Sequence, residues 1–336
     1  MSVIYIGAFP PQWGGVTVKN DDLFNELTKN GISIEKVDLN KIKRSRSIKE
    51  ALRLIRAITG RNNRLIIGVS AGSRRIFTKL LYLINKRIMS RSVVVVMGGA
   101  AARELSSDSD YMKWMSEFKR IYVETYGMAK LLMESGMRNV SIYPNCRKKA
   151  AHSFISEEEN SKLQCVFFSL IQKQKGVDTI LKSAKDLPEI DFSFYGPIDS
   201  KYKDEFEQNM HELGNCTYKG LFKGTDEEKY RELAKYDILL LPTRWTTEGI
   251  PGILVEAKIA GLTCIVSDVS YNSEIVTNGI NGIVLARNDD QCLKEAISFL
   301  NEHRNILLMQ KNESFKSADD YYIESYLDLF IQDLKY

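Results

Sequence analysis

Residues 238–261 read ILLLPTRWTTEGIPGILVEAKIAG. The aliphatic run Ile238–Leu241 has the length and composition of a buried strand. It opens into a loop holding Glu248, Gly249, Ile250, Pro251 and Gly252. A helix is expected to begin near Pro251, because proline suits a first helical turn, and to stop at Gly261, a residue that suits a helix end. Free backbone N–H groups and the helix dipole at such a start make an anion site suited to phosphate. Inside the helix Glu256 is set among Ile253, Leu254, Val255 and Ala257. An acid there is costly unless it accepts hydrogen bonds. A pair of sugar hydroxyls could supply them; the alternatives are solvent or a nearby Lys or Arg.

Working outward, the same strand–loop–helix alternation recurs along the chain. Val3–Phe9, Ile32–Leu39, Leu65–Val69, Val93–Met97, Ile121–Glu124 and Val140–Tyr143 read as strands, separated by amphipathic stretches such as Asp21–Lys29, Ile48–Ile58 and Arg75–Ile88. The pattern restarts with Leu163–Ser169, Phe192–Tyr195, Ile238–Leu241, Thr263–Val266 and Gly282–Leu285. Repeated alternation of this kind predicts parallel sheets with helices on both faces. The polar stretch 148–162 is the expected linker between a domain of residues 1–147 and one of residues 163–318, with a final helix over about 319–336.

The 336 residues carry a net charge of only +4, which hides an asymmetry. Residues 1–150 hold 27 Lys and Arg against 12 acids; the remainder holds 20 against 31. Between Leu39 and Arg103 there are sixteen basic residues and a single acid, Glu50. An anionic partner for the first half alone is implied. Composition excludes a disordered or disulfide-framework chain. The five cysteines, widely spaced and odd in number, lack zinc or redox spacing and predict a reducing compartment. No apolar run reaches the ~18 residues of a membrane span, and Val3–Phe9 is too short for a secretory leader. The expectation is a cytoplasmic protein, resting at the inner face of the membrane if on any surface.

The Glu248-x7-Glu256 arrangement and its surroundings resemble the signature of retaining nucleotide-sugar glycosyltransferases of the GT-B fold, family 4, in wording closest to those that build capsule and O-antigen chains. The resemblance extends to SDVSYNSEIVTNGINGI at 267–283, to Lys175-Gly176-Val177-Asp178 and to the Gly14-Gly15 pair after the first strand. It implies an α/β architecture of two Rossmann-like, doubly wound domains facing a cleft, with the final helix crossing back to the first. It implies that Glu256 holds the donor ribose, that Glu248 and the backbone of Gly249, Ile250, Pro251 and Gly252 contact the donor sugar and phosphates, and that Lys175 neutralises the leaving diphosphate. Gly14 and Gly15 would close over the donor phosphate, and the base would lie against Tyr218, Lys219, Gly220 and Leu221. The substrate is then a nucleotide-diphosphate sugar, UDP favoured, with no cofactor and no metal; the acceptor is a lipid-linked or oligosaccharide chain.

Two departures stand out. The arginine usual five residues before the lysine is Leu170, leaving Lys173 or another residue to replace it, and the histidine usual after the fourth strand is absent from Met97-Gly98-Gly99-Ala100. These keep open a catalytically silent sugar-nucleotide-binding protein; an epimerase of the same fold is a further alternative.

Weaker signals are read conservatively. Asp108-Ser109-Asp110 has a metal-motif spacing but reads as a solvated loop, and Gly7–Gly15 lacks the strict dinucleotide fingerprint. Trp13, Trp114 and Trp245 read as packing or cleft-lining residues. Lys41–Arg91 accompanies no nucleic-acid motif, so no nucleic-acid partner is expected. Its Ile48, Leu52 and Ile55, and its Ile76, Phe77, Leu80, Leu81 and Ile84 beside Arg74, Arg75 and Lys79, recur at helical spacing. Either these faces are core-facing with cationic outer sides, or they meet an anionic membrane surface.

Overall fold

A computed structural model of the protein describes residues 2–11, 14–150 and 160–335. Trp13, His152 and most of the expected linker lie outside these. The chain divides into two units: Met1–Lys149 with Thr247–Ile250 and Tyr321–Tyr336, and Ala150–Thr246 with Pro251–Asp320.

The first unit holds β1 (Val3–Gly7), β2 (Ile34–Asp38), β3 (Arg64–Gly68), β4 (Val93–Val95), β5 (Arg120–Val123) and β6 (Val140–Ile142). They form one parallel sheet in the order β2-β1-β3-β4-β5-β6. Every residue of β3 and β4 is buried, as central parallel strands covered on both faces must be. The order reverses between β1 and β3, and Asn20 ties the ends of these strands together. It accepts from the Tyr5 hydroxyl (3.0 Å) and donates to the carbonyls of Ala8 (2.9 Å) and Gly68 (2.8 Å).

The second unit holds β7 (Gln164–Phe168), β8 (Asp191–Tyr195), β9 (Cys216–Gly220), β10 (Ile238–Leu241), β11 (Thr263–Ser267) and β12 (Gly282–Leu285). Its sheet, also parallel, runs β12-β11-β10-β7-β8-β9 and reverses between β7 and β10. In doubly wound sheets the crevice beyond the strand ends at such a reversal is where ligands bind.

Several boundaries differ from expectation. The stretch read as Asp21–Lys29 is helical from Gly15, because Gly14, extended at φ −174°, starts the helix with Thr17 Oγ1 bonded to its N–H and carbonyl. The strand β9 was not expected: CTYKG lacks an aliphatic run because Thr217, Tyr218 and Lys219 are exposed at the sheet edge. The final helix is broken into two 3-10 turns, Ser317–Tyr321 and Ile323–Tyr326, followed by an α-helix at Leu327–Lys335.

That last helix belongs to the core of the first unit. Phe330 stacks on Tyr122 at 4.1 Å and meets Tyr143 edge-on at 5.0 Å. Asp333 accepts from Arg120 Nε (3.0 Å) and from the Tyr122 hydroxyl (2.9 Å). Burial of Phe330 alone contributes roughly 2–3 kcal/mol, and the charged bonds around Asp333 fix its register.

Candidate functional site

In the second unit the loops after β7 and β10 meet. Lys173–Lys175 forms a 3-10 turn, and Gly176 follows at φ +79°. Only glycine fits there, since that φ disfavours a side chain and a Cβ would run into the carbonyl of Pro242. Arg244 N–H donates to the Gln174 carbonyl (2.8 Å), and its guanidinium binds the Lys173 carbonyl (2.7 Å) and Asp178 (2.8 Å). The loop is braced from below by Ser267, whose hydroxyl donates to the Thr243 carbonyl (2.6 Å), and by Asn288, which reaches the same oxygen (2.9 Å). Lys175 is thereby held, buried, with its Nζ 5.6 Å from the centre of the Trp245 ring.

Beyond this loop the helix runs Gly252–Ile259, with Pro251 as its N-cap rather than its first-turn residue. No side chain caps it, and Gly261 at φ +74° follows its end. Glu256 is buried on this helix, and its Oε1 lies 3.1 Å from Lys229 Nζ. A nearby lysine, one of the surroundings left open by the sequence, is thus among its partners. Lys173, the candidate to replace the missing arginine, pairs with Glu205 at 2.7 Å in an exposed position.

Tyr218, Lys219 and Gly220 lie in β9, and Leu221 follows it. Tyr218 donates its hydroxyl to the Gly196 carbonyl (2.8 Å). A depression of about 270 Å³ beside this strand end is lined by Phe222, Lys223, Glu228, Arg231, Glu232 and Lys235. Burial raises the Glu232 carboxyl, but hydrogen bonds from Lys235 and Tyr195 outweigh it and leave the group below its ordinary value.

The short segment Thr247–Ile250 groups with the first unit. Gly99 N–H donates to the Thr247 carbonyl (3.1 Å) and Asn145 Nδ2 to that of Ile250 (2.9 Å). Gly249 lies so close to the Glu124 carboxylate that a Cβ would collide with it. Glu124 is itself buried, 2.9 Å from Lys19 Nζ and 3.3 Å from Gly98 N–H. Glu248, half-buried, therefore sits in the first unit, as do Gly14 and Gly15, while Lys175, Gly252 and Glu256 sit in the second. Sequence reading missed Lys19, Glu124 and Lys229. A carboxylate just past the end of β5 was the available signal for Glu124, since strand carboxyl ends carry such groups in these sheets.

The Asp108 stretch is not a solvated loop. Asp108 caps the helix Ser109–Met115 through the Tyr111 N–H (3.0 Å) and pairs with Arg75. Arg74, expected beside an apolar face, is wholly buried, bonded to the Tyr111 hydroxyl (2.9 Å) and the Met97 carbonyl.

Comparison with known proteins gives a consistent picture. Residues 148–317 match the family model described as glycosyl transferases group 1. A protein of the Klebsiella pneumoniae cps region is 27% identical over 52% of this chain and 48% of its own length. The Escherichia coli UDP-Gal:alpha-D-GlcNAc-diphosphoundecaprenol alpha-1,3-galactosyltransferase is 27% identical over 39% of this chain and 33% of its own. The chain thus matches half or less of the length of these curated relatives. Among solved structures, Anabaena Alr3699/HepE in complex with UDP superposes with a TM-score of 0.73 at 13% identity, covering 99% of both chains. Sucrose-phosphate synthase from Thermosynechococcus elongatus gives 0.72 at 10% identity, over 99% of this chain and 98% of its own. The fold is GT-B.

Proposed function

The chain belongs to the glycosyl transferases group 1 family, and from that premise we propose that it is a retaining transferase of family 4. It moves a sugar from a nucleoside-diphosphate donor to a growing bacterial surface polysaccharide, on a lipid-linked or oligosaccharide acceptor. The observation that carries this reading is the meeting, at the reversal of the second sheet, of the turn bearing buried Lys175 with the braced Pro242–Trp245 loop, in the chain stretch that leads on to the helix start at Gly252. In this reading it receives the diphosphate of a departing nucleotide.

In this reading the sugar–phosphate bond breaks as the acceptor oxygen attacks the same face, and the leaving phosphate takes the acceptor's proton. Negative charge grows on the diphosphate, and Lys175 with the N–H groups of Gly249, Ile250 and Gly252 (Pro251 has none) stabilises it without metal or cofactor. Glu256, oriented by Lys229, accepts from the ribose hydroxyls. Glu248 contacts the donor sugar, Gly14 and Gly15 close over the phosphate, and the base lies against Tyr218–Leu221. UDP is favoured as the nucleotide, because the Escherichia coli relative is named for UDP-Gal and the Anabaena neighbour holds UDP.

The test is incubation with a panel of UDP-sugars and a lipid-linked oligosaccharide, with the product's anomeric configuration read by NMR. Transfer with retention is expected; an inverted product contradicts the reading. Leu170 and the Lys173–Glu205 pair favour one second reading, a silent binder, in which UDP raises the melting temperature but no donor is ever turned over.

A further inference from the structure

Two neighbouring helices of the first unit turn their aliphatic faces outward. On Ile48–Thr59 the buried side is made by Glu50, Ala57 and Ile58. Ile48, Leu52 and Ile55 lie on the opposite side, each more than half exposed. On Ala71–Met89 the buried side is Arg74, Thr78, Leu81 and Ile88, whereas Ile76 and Leu83 are 72% and 71% exposed, with Leu80 and Ile84 beside them. The helices pack together, Asn85 Nδ2 reaching the Ile58 carbonyl at 3.0 Å. Of the aliphatic residues read at this spacing Leu81 faces the core, whereas Ile48, Leu52, Ile55, Ile76, Leu80 and Ile84 do not.

Cations border these stripes. At 100° per residue, Lys49 and Arg56 flank one side of the first stripe, and Arg87 follows the second stripe beyond a kink at Asn85. None of the three has an ion pair among the described residues. Glu50, the sole acid between Leu39 and Arg103, is buried against Arg53. A contiguous exposed apolar face implies a partner, and the charge decides which. Glu104, Asp108 and Glu117 lie beside the second helix but are paired with Arg74, Arg75 and Lys86, so a second copy would bring Lys49, Arg56 and Arg87 face to face against acids already engaged. A nucleic-acid backbone would satisfy the cations but not the aliphatic side chains.

We propose that this face docks on an anionic phospholipid bilayer. The aliphatic stripes enter the boundary between headgroups and acyl chains, and the flanking Lys and Arg meet lipid phosphates. This stands independently of the transferase reading, because none of these residues is assigned to donor binding. It also differs from purely electrostatic attachment, which salt alone would abolish.

The experiment is co-sedimentation of the full chain with vesicles of phosphatidylglycerol and phosphatidylcholine, or of phosphatidylcholine alone. Binding to the anionic vesicles only is expected, weakened but not lost at about 0.5 M salt. Leu52→Glu/Leu83→Glu should abolish it while leaving the melting temperature, and its shift with UDP, unchanged. Lys49→Gln/Arg56→Gln should weaken it by roughly tenfold or more. The proposal is overturned if the wild type binds no anionic vesicle, or if Leu52→Glu/Leu83→Glu binds like wild type. It is equally overturned by a dimer that this variant dissolves in a protein that ignores vesicles, which would make the face an interface between copies.

Discussion

The two sheets are built alike, six parallel strands each with fully buried central members, yet the two units place their charged and apolar residues differently. The first encloses an ion pair, Lys19–Glu124, and leaves aliphatic helix faces in the open. The second holds its informative charges, Lys175 and Glu256, at the margins of the loops after β7 and β10. A shared topology therefore does not assign a role; the residues at strand ends and on outer helix faces do.

The largest effect is expected from the enclosed pair. Lys19→Met leaves Glu124 buried without its cation and should cost about 3–5 kcal/mol in urea unfolding. The double change Lys19→Met/Glu124→Gln should cost clearly less than the sum of the singles. Strict additivity would show that the pair is not coupled and that the first unit is less distinctive than described.

Next come two glycines, one per unit. Gly176→Ala combines a disfavoured φ with collision against the Pro242 carbonyl, and strain of this kind costs roughly 1–3 kcal/mol. It should also diminish the melting-temperature shift given by UDP. Gly249→Ala meets the Glu124 side chain instead of a backbone carbonyl and carries no disfavoured φ, so it should cost less stability than Gly176→Ala while also weakening UDP binding through Thr247–Ile250. A Gly249→Ala variant as destabilised as Gly176→Ala would erase the contrast between the units.

Much of this contrast could be read in the sequence, and the parts that could not have physical reasons. Ile238–Leu241 was placed correctly because a buried parallel strand needs an unbroken aliphatic run, and Gly282–Leu285, although at the other edge of the sheet, keeps enough of one to be read. Edge strand β9 escaped because Thr217 and Lys219 have no second layer to cover them. The helices at Ile48–Thr59 and Ala71–Met89 were evident from spacing, but periodicity says only that two faces differ, not which one faces inward. The inward face here is made by Ala57, Ile58, Thr78 and even Arg74, residues that an apolar pattern does not single out. Lys19, Glu124 and Lys229 are distant in sequence from their partners, and only the folded chain brings them together.

Smaller effects follow at the periphery of the first unit. Asp333→Asn removes the charge that receives Arg120 and the Tyr122 hydroxyl, and should cost roughly 1–3 kcal/mol, read as loosened protection of residues 327–335 in hydrogen exchange. An unchanged exchange pattern would show that Phe330 packing alone holds the final helix.

The smallest effect is a pH dependence shared by both units. Burial pushes the Cys146 thiol of the first unit and the Cys264 thiol of the second up to about 12, from an ordinary 9.0. Both stay protonated in the folded chain while the unfolded chain ionises. Their contribution is therefore complete below pH 9.0 and lost as pH rises towards 12. Cys264→Ala should flatten part of that alkaline decline in stability, and a decline as steep as in the wild type would remove the thiol from the explanation.

The account rests on a donor diphosphate being recognised through Lys175 and Glu256 in the second unit, and titration calorimetry with UDP tests it most directly. Wild type should bind. Lys175→Ala and Glu256→Gln should each weaken binding by roughly tenfold or more while remaining folded, and Leu52→Glu/Leu83→Glu should bind as wild type does. Absence of UDP binding by the wild type, or affinities unchanged in both Lys175→Ala and Glu256→Gln, would contradict it.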